Sequence, residues 1–101
     1  MSQKIYLARS SKNDKKYMVK VNNKTVHFGA KGYSDYTKHK DDTRKRAYTS
    51  RHKTRENWNK SGIKTAGFWA KHLLWNKPTL TASIKDIEKR FNITISRRTK
   101  I

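Results

Sequence analysis

The chain has no cysteine and only seven acidic residues among 101. The absence of cysteine excludes disulfide bonds and thiolate metal sites. No apolar run approaches the ~18 residues that a membrane span requires. The first ten residues also lack the apolar stretch of a signal peptide. We therefore expect one small domain over residues 1–101, not secreted and without a membrane span.

Apolar residues are scarce as well, at 33% of the chain, and so short a chain buries only a thin core. The aromatic content of 11% nevertheless argues against full disorder. The three tryptophans lie at positions 58, 69 and 75, in or beside the segment Ser61–Pro78. This segment is the densest in large apolar side chains, so we expect it to organise the core.

Three helices are predicted. Thr65 can cap a helix beginning at Ala66, in which Phe68, Trp69 and Trp75 share an apolar face that ends before Pro78. A second helix is expected over about 81–91, where apolar residues recur at spacings of four, three and four. The third is the basic segment 40–55, whose acidic residues near its start suit the positive end of the helix dipole.

The strands are predicted mainly in the N-terminal third. Residues 17–28 alternate between apolar and polar around Asn22–Asn23, which favours a hairpin because asparagine tolerates positive φ. Residues 4–8 are a candidate third strand, and residues 93–96 a candidate final strand. The predicted fold class is α+β: a small N-terminal antiparallel sheet packed with about three C-terminal helices. Residues 27–42 are interpreted as a shaped loop.

Positive charge dominates the chain, with 26 lysines and arginines and a net charge of +19. It is spread almost evenly, with +6 over residues 1–37, +6 over 38–60 and +7 over 61–101. A folded surface this positive favours a polyanionic partner. Nucleic acid is the first candidate, because each neutralised phosphate releases a counterion and adds affinity.

The candidate phosphate contacts come from three segments. Lys31 lies between Gly29 and Gly32, in a G-x-x-G loop whose backbone N–H groups could cradle a phosphate; the alternative is a plain turn that needs positive φ. The others lie in the basic helix and in a basic tail over 97–101. The complete set is Lys31, Arg44, Lys45, Arg46, Arg51, Lys53, Arg55, Arg97, Arg98 and Lys100.

The sequence offers no convincing catalytic constellation. The four histidines lack zinc-site spacing, and adjacent Asp41 and Asp42 point to different helix faces and would converge poorly on Mg²⁺. An H-x-x-R fragment at His52–Arg55 is found in tyrosine recombinases, but the chain is far too short to hold that site. We interpret the protein as non-enzymatic, with no cofactor and no small-molecule substrate.

A combination of motifs carries a resemblance over roughly residues 25–91. It comprises the run from His27 to Thr37, His39-Lys40-Asp41, Arg51-His52, Trp58, Ser61-Gly62, Thr65 to Trp69, and Leu73-Leu74-Trp75. Together they resemble a family of small basic uncharacterised proteins of nucleocytoplasmic large DNA viruses, including chlorella-virus, mimivirus and marseillevirus relatives. The resemblance implies a viral protein that is made in a host cell and resides in the virion.

Two hypotheses follow. The first is a non-enzymatic structural virion protein that binds DNA without sequence preference, associated with the genome or lying under the capsid shell. The second is a minor capsid protein that bridges other capsid proteins through their acidic surfaces. In that case Trp58 and Trp75 are the candidate partner interface, since aromatic residues concentrate at protein interfaces.

Overall fold

The computed structural model describes residues 3–32, 34–54 and 56–99. Four strands form one sheet in the order β3-β2-β1-β4. Their bounds are β1 Gln3–Arg9, β2 Lys15–Val21, β3 Lys24–Ala30 and β4 Ile93–Arg97. β2 pairs antiparallel with both β1 and β3, whereas β4 pairs parallel with β1. The α+β class and the antiparallel N-terminal sheet are confirmed; the C-terminal strand adds a parallel pair beside β1, which makes the whole sheet mixed.

The predicted hairpin is confirmed and extends two residues beyond each predicted end. Val21 pairs with Lys24 across a two-residue turn, and Asn22 has φ 55°, the left-handed conformation that asparagine tolerates. The segment 27–42 is less irregular than expected. Its first four residues continue β3, because the hydrophobic alternation persists through Phe28.

The helices differ from prediction mainly at their boundaries. They are α1 Tyr36–His39, α2 Asp42–His52, α3 Ala66–Trp69 and α4 Leu80–Phe91. The predicted basic helix 40–55 is shorter because Lys40 is left-handed, with φ 54°, and separates α1 from α2. Asp41 then caps α2, accepting hydrogen bonds from the backbone N–H groups of Thr43 and Arg44.

The aromatic helix is not a single α-helix. Thr65 caps α3 as expected, but from Ala70 to Leu74 the backbone forms a π-helical turn, and Trp75 lies beyond it. A π turn widens the helix by one residue per hydrogen-bonded ring. The spacing of three and four alone could not reveal this insertion.

One hydrophobic cluster joins the inner face of the sheet to α3, the π turn and α4. Phe68, Trp69 and Leu73 are completely buried, so the prediction that this segment forms the core is confirmed. The Trp69 indole N–H donates to the Ile63 carbonyl oxygen at 2.6 Å, which satisfies its polar group inside the core. Burying one such aromatic contributes about 2–3 kcal/mol of transfer free energy.

The last helix and strand are linked directly. Asn92 takes the left-handed conformation, with φ 53°, and turns the chain from α4 into β4. The Glu88 carboxylate then accepts a hydrogen bond from the Ile95 backbone N–H at 2.9 Å. Among the described residues, no helix has both the length and the apolar character to cross a bilayer.

Candidate nucleic-acid interface

The strand directions bring basic residues to one end of the sheet. β1 and β4 are parallel and end at Arg9 and Arg97, while antiparallel β2 begins at Lys15 at the same end. Arg9, Arg97, Arg98 and Tyr17 line a shallow depression there. The Arg98 backbone N–H donates to the Leu7 carbonyl oxygen at 2.7 Å, which fixes the residue that follows β4 against β1.

A second depression adjoins the first and shares Arg9 and Tyr17 with it. It adds Lys31 from the glycine-flanked loop and Lys38 from α1. Gly32 has φ 88°, which favours glycine, so the turn interpretation of this loop holds locally. The same turn presents the exposed Lys31 side chain to the depression.

The third feature is a cleft of about 560 Å³ between the sheet and α2. It shares Lys16 and Asp35 with the second depression, so the three features are contiguous. Arg44 and Arg51 line it from α2. They lie seven residues apart, about 10 Å along the helix axis.

These three features form a continuous surface, which we call the basic edge. Its seven exposed cations are Arg9, Lys31, Lys38, Arg44, Arg51, Arg97 and Arg98. Within residues 3–32, 34–54 and 56–99, none of the seven forms an ion pair. Arg98 also lies over the Tyr6 ring, with its guanidinium carbon 5.3 Å from the ring centroid.

The acid that lines the basic edge is neutralised internally. Asp35 is 2% exposed, and its carboxylate accepts from the Lys16 ammonium and from the hydroxyl of Thr37. It also caps α1, accepting from the Thr37 backbone N–H at 3.0 Å. Lys16 is consequently a structural partner of Asp35, and the positive potential of the edge comes from the seven exposed side chains.

Helical periodicity divides the basic residues of α2 between two faces. Arg44 and Arg51 belong to the cleft, whereas Arg46 and Lys53 line a separate depression on the other face. Lys45 serves the fold instead: its ammonium donates to the Asn76 carbonyl oxygen at 2.6 Å and lies 4.8 Å from the ring centroid of Tyr36. The predicted contacts Arg55 and Lys100 lie outside the described residues.

A column of stacked rings supports the cleft. Tyr48 and Trp75 are nearly parallel, with centroids 4.4 Å apart, and His52 stacks on the other side of Tyr48 at 4.3 Å. His39 contacts Trp75 at 5.3 Å. Burial, together with the nearby Glu56 carboxylate, raises the pKa of Tyr48 to about 12, so its hydroxyl stays protonated.

The two candidate interface tryptophans have different surroundings. Trp75 is half-buried in the ring column and packs against the hydrophobic core. Trp58 is also half-buried, with the Lys71 ammonium 5.5 Å from its ring centroid, and its backbone carbonyl bonds to the imidazole of His72. Their role at a partner interface stays a prediction.

Sequence reasoning missed Arg9, Lys38 and Tyr17 as members of this surface. All three lie outside the densest basic runs, and no local motif marks them. Arg9 and Tyr17 come together through the antiparallel pairing of β1 with β2, and Lys38 because α1 lines the same depression as the loop after β3; only the three-dimensional fold reveals this. In the described part of the chain, no group of three or more histidine and carboxylate side chains could hold a metal ion.

Comparison with known proteins gives one match. Residues 5–52 match a family of unknown function, DUF5754, over just under half of the chain. The matched region runs from β1 to the end of α2 and so contains five of the seven cations of the basic edge. No curated protein and no solved structure matches the chain.

Proposed function

We propose that the chain is a non-enzymatic structural protein of a large DNA virus particle that binds DNA through the basic edge without sequence preference. The observation that carries the proposal is the convergence of seven exposed cations from β1, α1, α2, the end of β4 and the loop after β3, none of them in an ion pair within the described part of the chain. Contacts from lysine and arginine to phosphates supply affinity and position but carry no base sequence information. This chemistry suits a protein that coats a genome or lies beneath a capsid shell.

The proposal predicts a difference between the two faces of α2. The double substitution Arg44→Gln/Arg51→Gln removes two charges from the basic edge, and Arg46→Gln/Lys53→Gln removes two charges from the opposite face. Glutamine is a good helix former, so both variants should fold. We expect the first variant to make the negative slope of log affinity against log salt less steep by about two units. We also expect it to weaken binding at least about ten-fold at moderate salt.

The matched variant of the opposite face should leave the slope within error of the wild-type value. Binding would be measured by fluorescence anisotropy on a labelled duplex over a series of salt concentrations. Equal losses in the two variants would mean that the charge acts diffusely, and the assignment to the basic edge would be wrong.

The second candidate function is a minor capsid protein, and the position of Trp58 favours it. This ring is half-buried and lies outside the hydrophobic cluster that holds the fold together. A partly exposed tryptophan beside a cationic side chain, here Lys71, suits docking on an acidic protein surface. The test measures association with acidic capsid proteins and with DNA. This function would be favoured over the first if the wild type binds the capsid proteins, Trp58→Ala does not, and DNA binding is weak.

A further inference from the structure

The cleft between the sheet and α2 has the size and lining of a ligand site. Its volume of about 560 Å³ falls in the range of small-molecule sites, about 300–1,000 Å³. Ala70 and Leu74 of the π turn form an apolar wall, while α2 contributes Ala47 between Arg44 and Arg51. An apolar cavity flanked by two exposed guanidinium groups suits a ligand with a flat apolar part and an anionic part.

Gly29 shapes the floor of this cleft. Its backbone has φ 77°, and a Cβ at this position would lie 2.8 Å from the Leu74 side chain. A larger residue would therefore be strained by the positive φ and would displace the end of the Leu74 side chain. Glycine lets the Leu74 side chain of the π turn lie close to the sheet.

The aromatic rings of the cleft are held in place before any ligand arrives. Tyr48 contacts Trp75 on one side and His52 on the other, so the ring column is already packed. A rigid wall loses little conformational entropy when it binds a planar group. The Asp35 carboxylate that lines the cleft does not oppose an anion strongly, because it is paired with the Lys16 ammonium.

The cleft is continuous with the rest of the basic edge through Lys16 and Asp35. We propose that it receives one unstacked base of a DNA strand whose phosphates run along the basic edge, with Arg44 and Arg51 contacting the flanking phosphates. This inference rests on the proposed function and deepens it. It makes the protein prefer unpaired over fully paired DNA, because a base must leave its stack to enter the cleft.

The test compares strands that carry the same phosphates with and without bases. A labelled single-stranded oligothymidylate and an abasic strand of equal length would be titrated with the full chain by fluorescence anisotropy. We expect the thymidylate to bind about ten-fold more tightly, because one base buries apolar surface in the cleft. The same comparison is made with Ala47→Leu, which narrows the cleft from an exposed position on α2 without changing a charge.

Ser50→Leu is the matched control, because Ser50 is also exposed on α2 but lines the opposite face. We expect Ala47→Leu to bind both strands with the affinity that the wild type shows for the abasic strand, and Ser50→Leu to behave as the wild type. Circular dichroism melting of the three proteins verifies that each is folded. Leucine favours helix at both positions.

Four outcomes would overturn the inference. Equal affinity of the wild type for both strands would show that no base is bound, while leaving phosphate binding by the basic edge intact. A base preference that persists in Ala47→Leu would place the base elsewhere. Displacement of the strand by thymidine monophosphate from the wild type but not from Ala47→Leu, without a base preference, would assign the cleft to a free nucleotide. Absence of binding to either strand would refute the proposed function and the inference together.

Discussion

At the residue scale, the buried imidazole of His72 couples the fold to pH. It is 2% exposed among aromatic rings, and its Nε2 bonds to the Trp58 carbonyl oxygen at 2.9 Å. Burial lowers the pKa of His72, and the cations Arg90 and Lys71 act in the same direction, against the hydrogen bond to Trp58 and the charge of Asp86. The neutral imidazole is therefore the form that the folded state accommodates.

The sign of the pH effect follows from this lowered pKa. Below about pH 6.5 the unfolded chain binds a proton at His72 that the folded chain rejects, so stability is present above this pH and is lost as the pH falls. The free energy of unfolding should decrease between pH 7 and pH 5 by up to about 1.4 kcal/mol per pH unit from this group. His72→Gln keeps a donor for the Trp58 carbonyl, and its urea unfolding should show a flatter pH dependence; an unchanged dependence would contradict this explanation.

The buried ion pair of Lys16 and Asp35 makes a second prediction at this scale. Asp35→Asn keeps an oxygen that can cap α1 but leaves the mostly buried Lys16 ammonium without its carboxylate. Breaking a buried pair in this way costs about 3–5 kcal/mol, and urea unfolding would measure the loss. Asp41→Asn is the control, since it removes the same charge from an exposed helix cap, where asparagine also caps well. Equal losses in the two variants would show that the ion pair contributes nothing beyond overall charge.

At the element scale, the sequence predicted the hairpin and α4 because their signals are local. The turn at Asn22 and the apolar spacing of α4 each act over a few residues. The left-handed Lys40, the π turn and the parallel pairing of β4 with β1 were not predicted. The first two are backbone irregularities without a residue signature here, and the third depends on contacts between chain ends about 90 residues apart.

The candidate site divides in the same way. The basic run of α2 was visible in the sequence, and its split into two faces follows from helical periodicity. The addition of Arg97 and Arg98 to this surface was not visible, because it requires β4 to end beside β1. Lys31 joins the cleft through a depression that shares Lys16 and Asp35 with it, which the sequence did not show either.

The cap of α4 gives a prediction for an element boundary. The Thr79 hydroxyl accepts a hydrogen bond from the Ala82 backbone N–H at 3.1 Å. Thr79→Ala removes this acceptor and should lower the free energy of unfolding by about 1 kcal/mol, whereas Thr79→Ser should keep most of it. Urea unfolding of both variants checks the effect, and a loss of the same size in Thr79→Ser would show that the methyl group, not the hydroxyl, stabilises this end.

At the scale of the whole molecule, the net charge of +19 is the property that the fold must accommodate. Like charges on a compact surface repel one another, so a polyanion should relieve this repulsion on binding. The cations have different roles in the fold. Lys16 and Lys45 form hydrogen bonds within the protein, whereas seven others lie together on the basic edge. The central claim is that this gathered set meets phosphates.

The measurement that tests this claim most directly is the affinity of the purified chain for two unrelated DNA duplexes over a range of salt concentrations. If all seven cations of the basic edge contact phosphates, the plot of log affinity against log salt should have a slope of about −6. The slope and the affinity should be the same for both sequences. Weak or absent binding at ~150 mM salt, or a marked preference for one duplex, would contradict non-specific binding through the phosphate backbone.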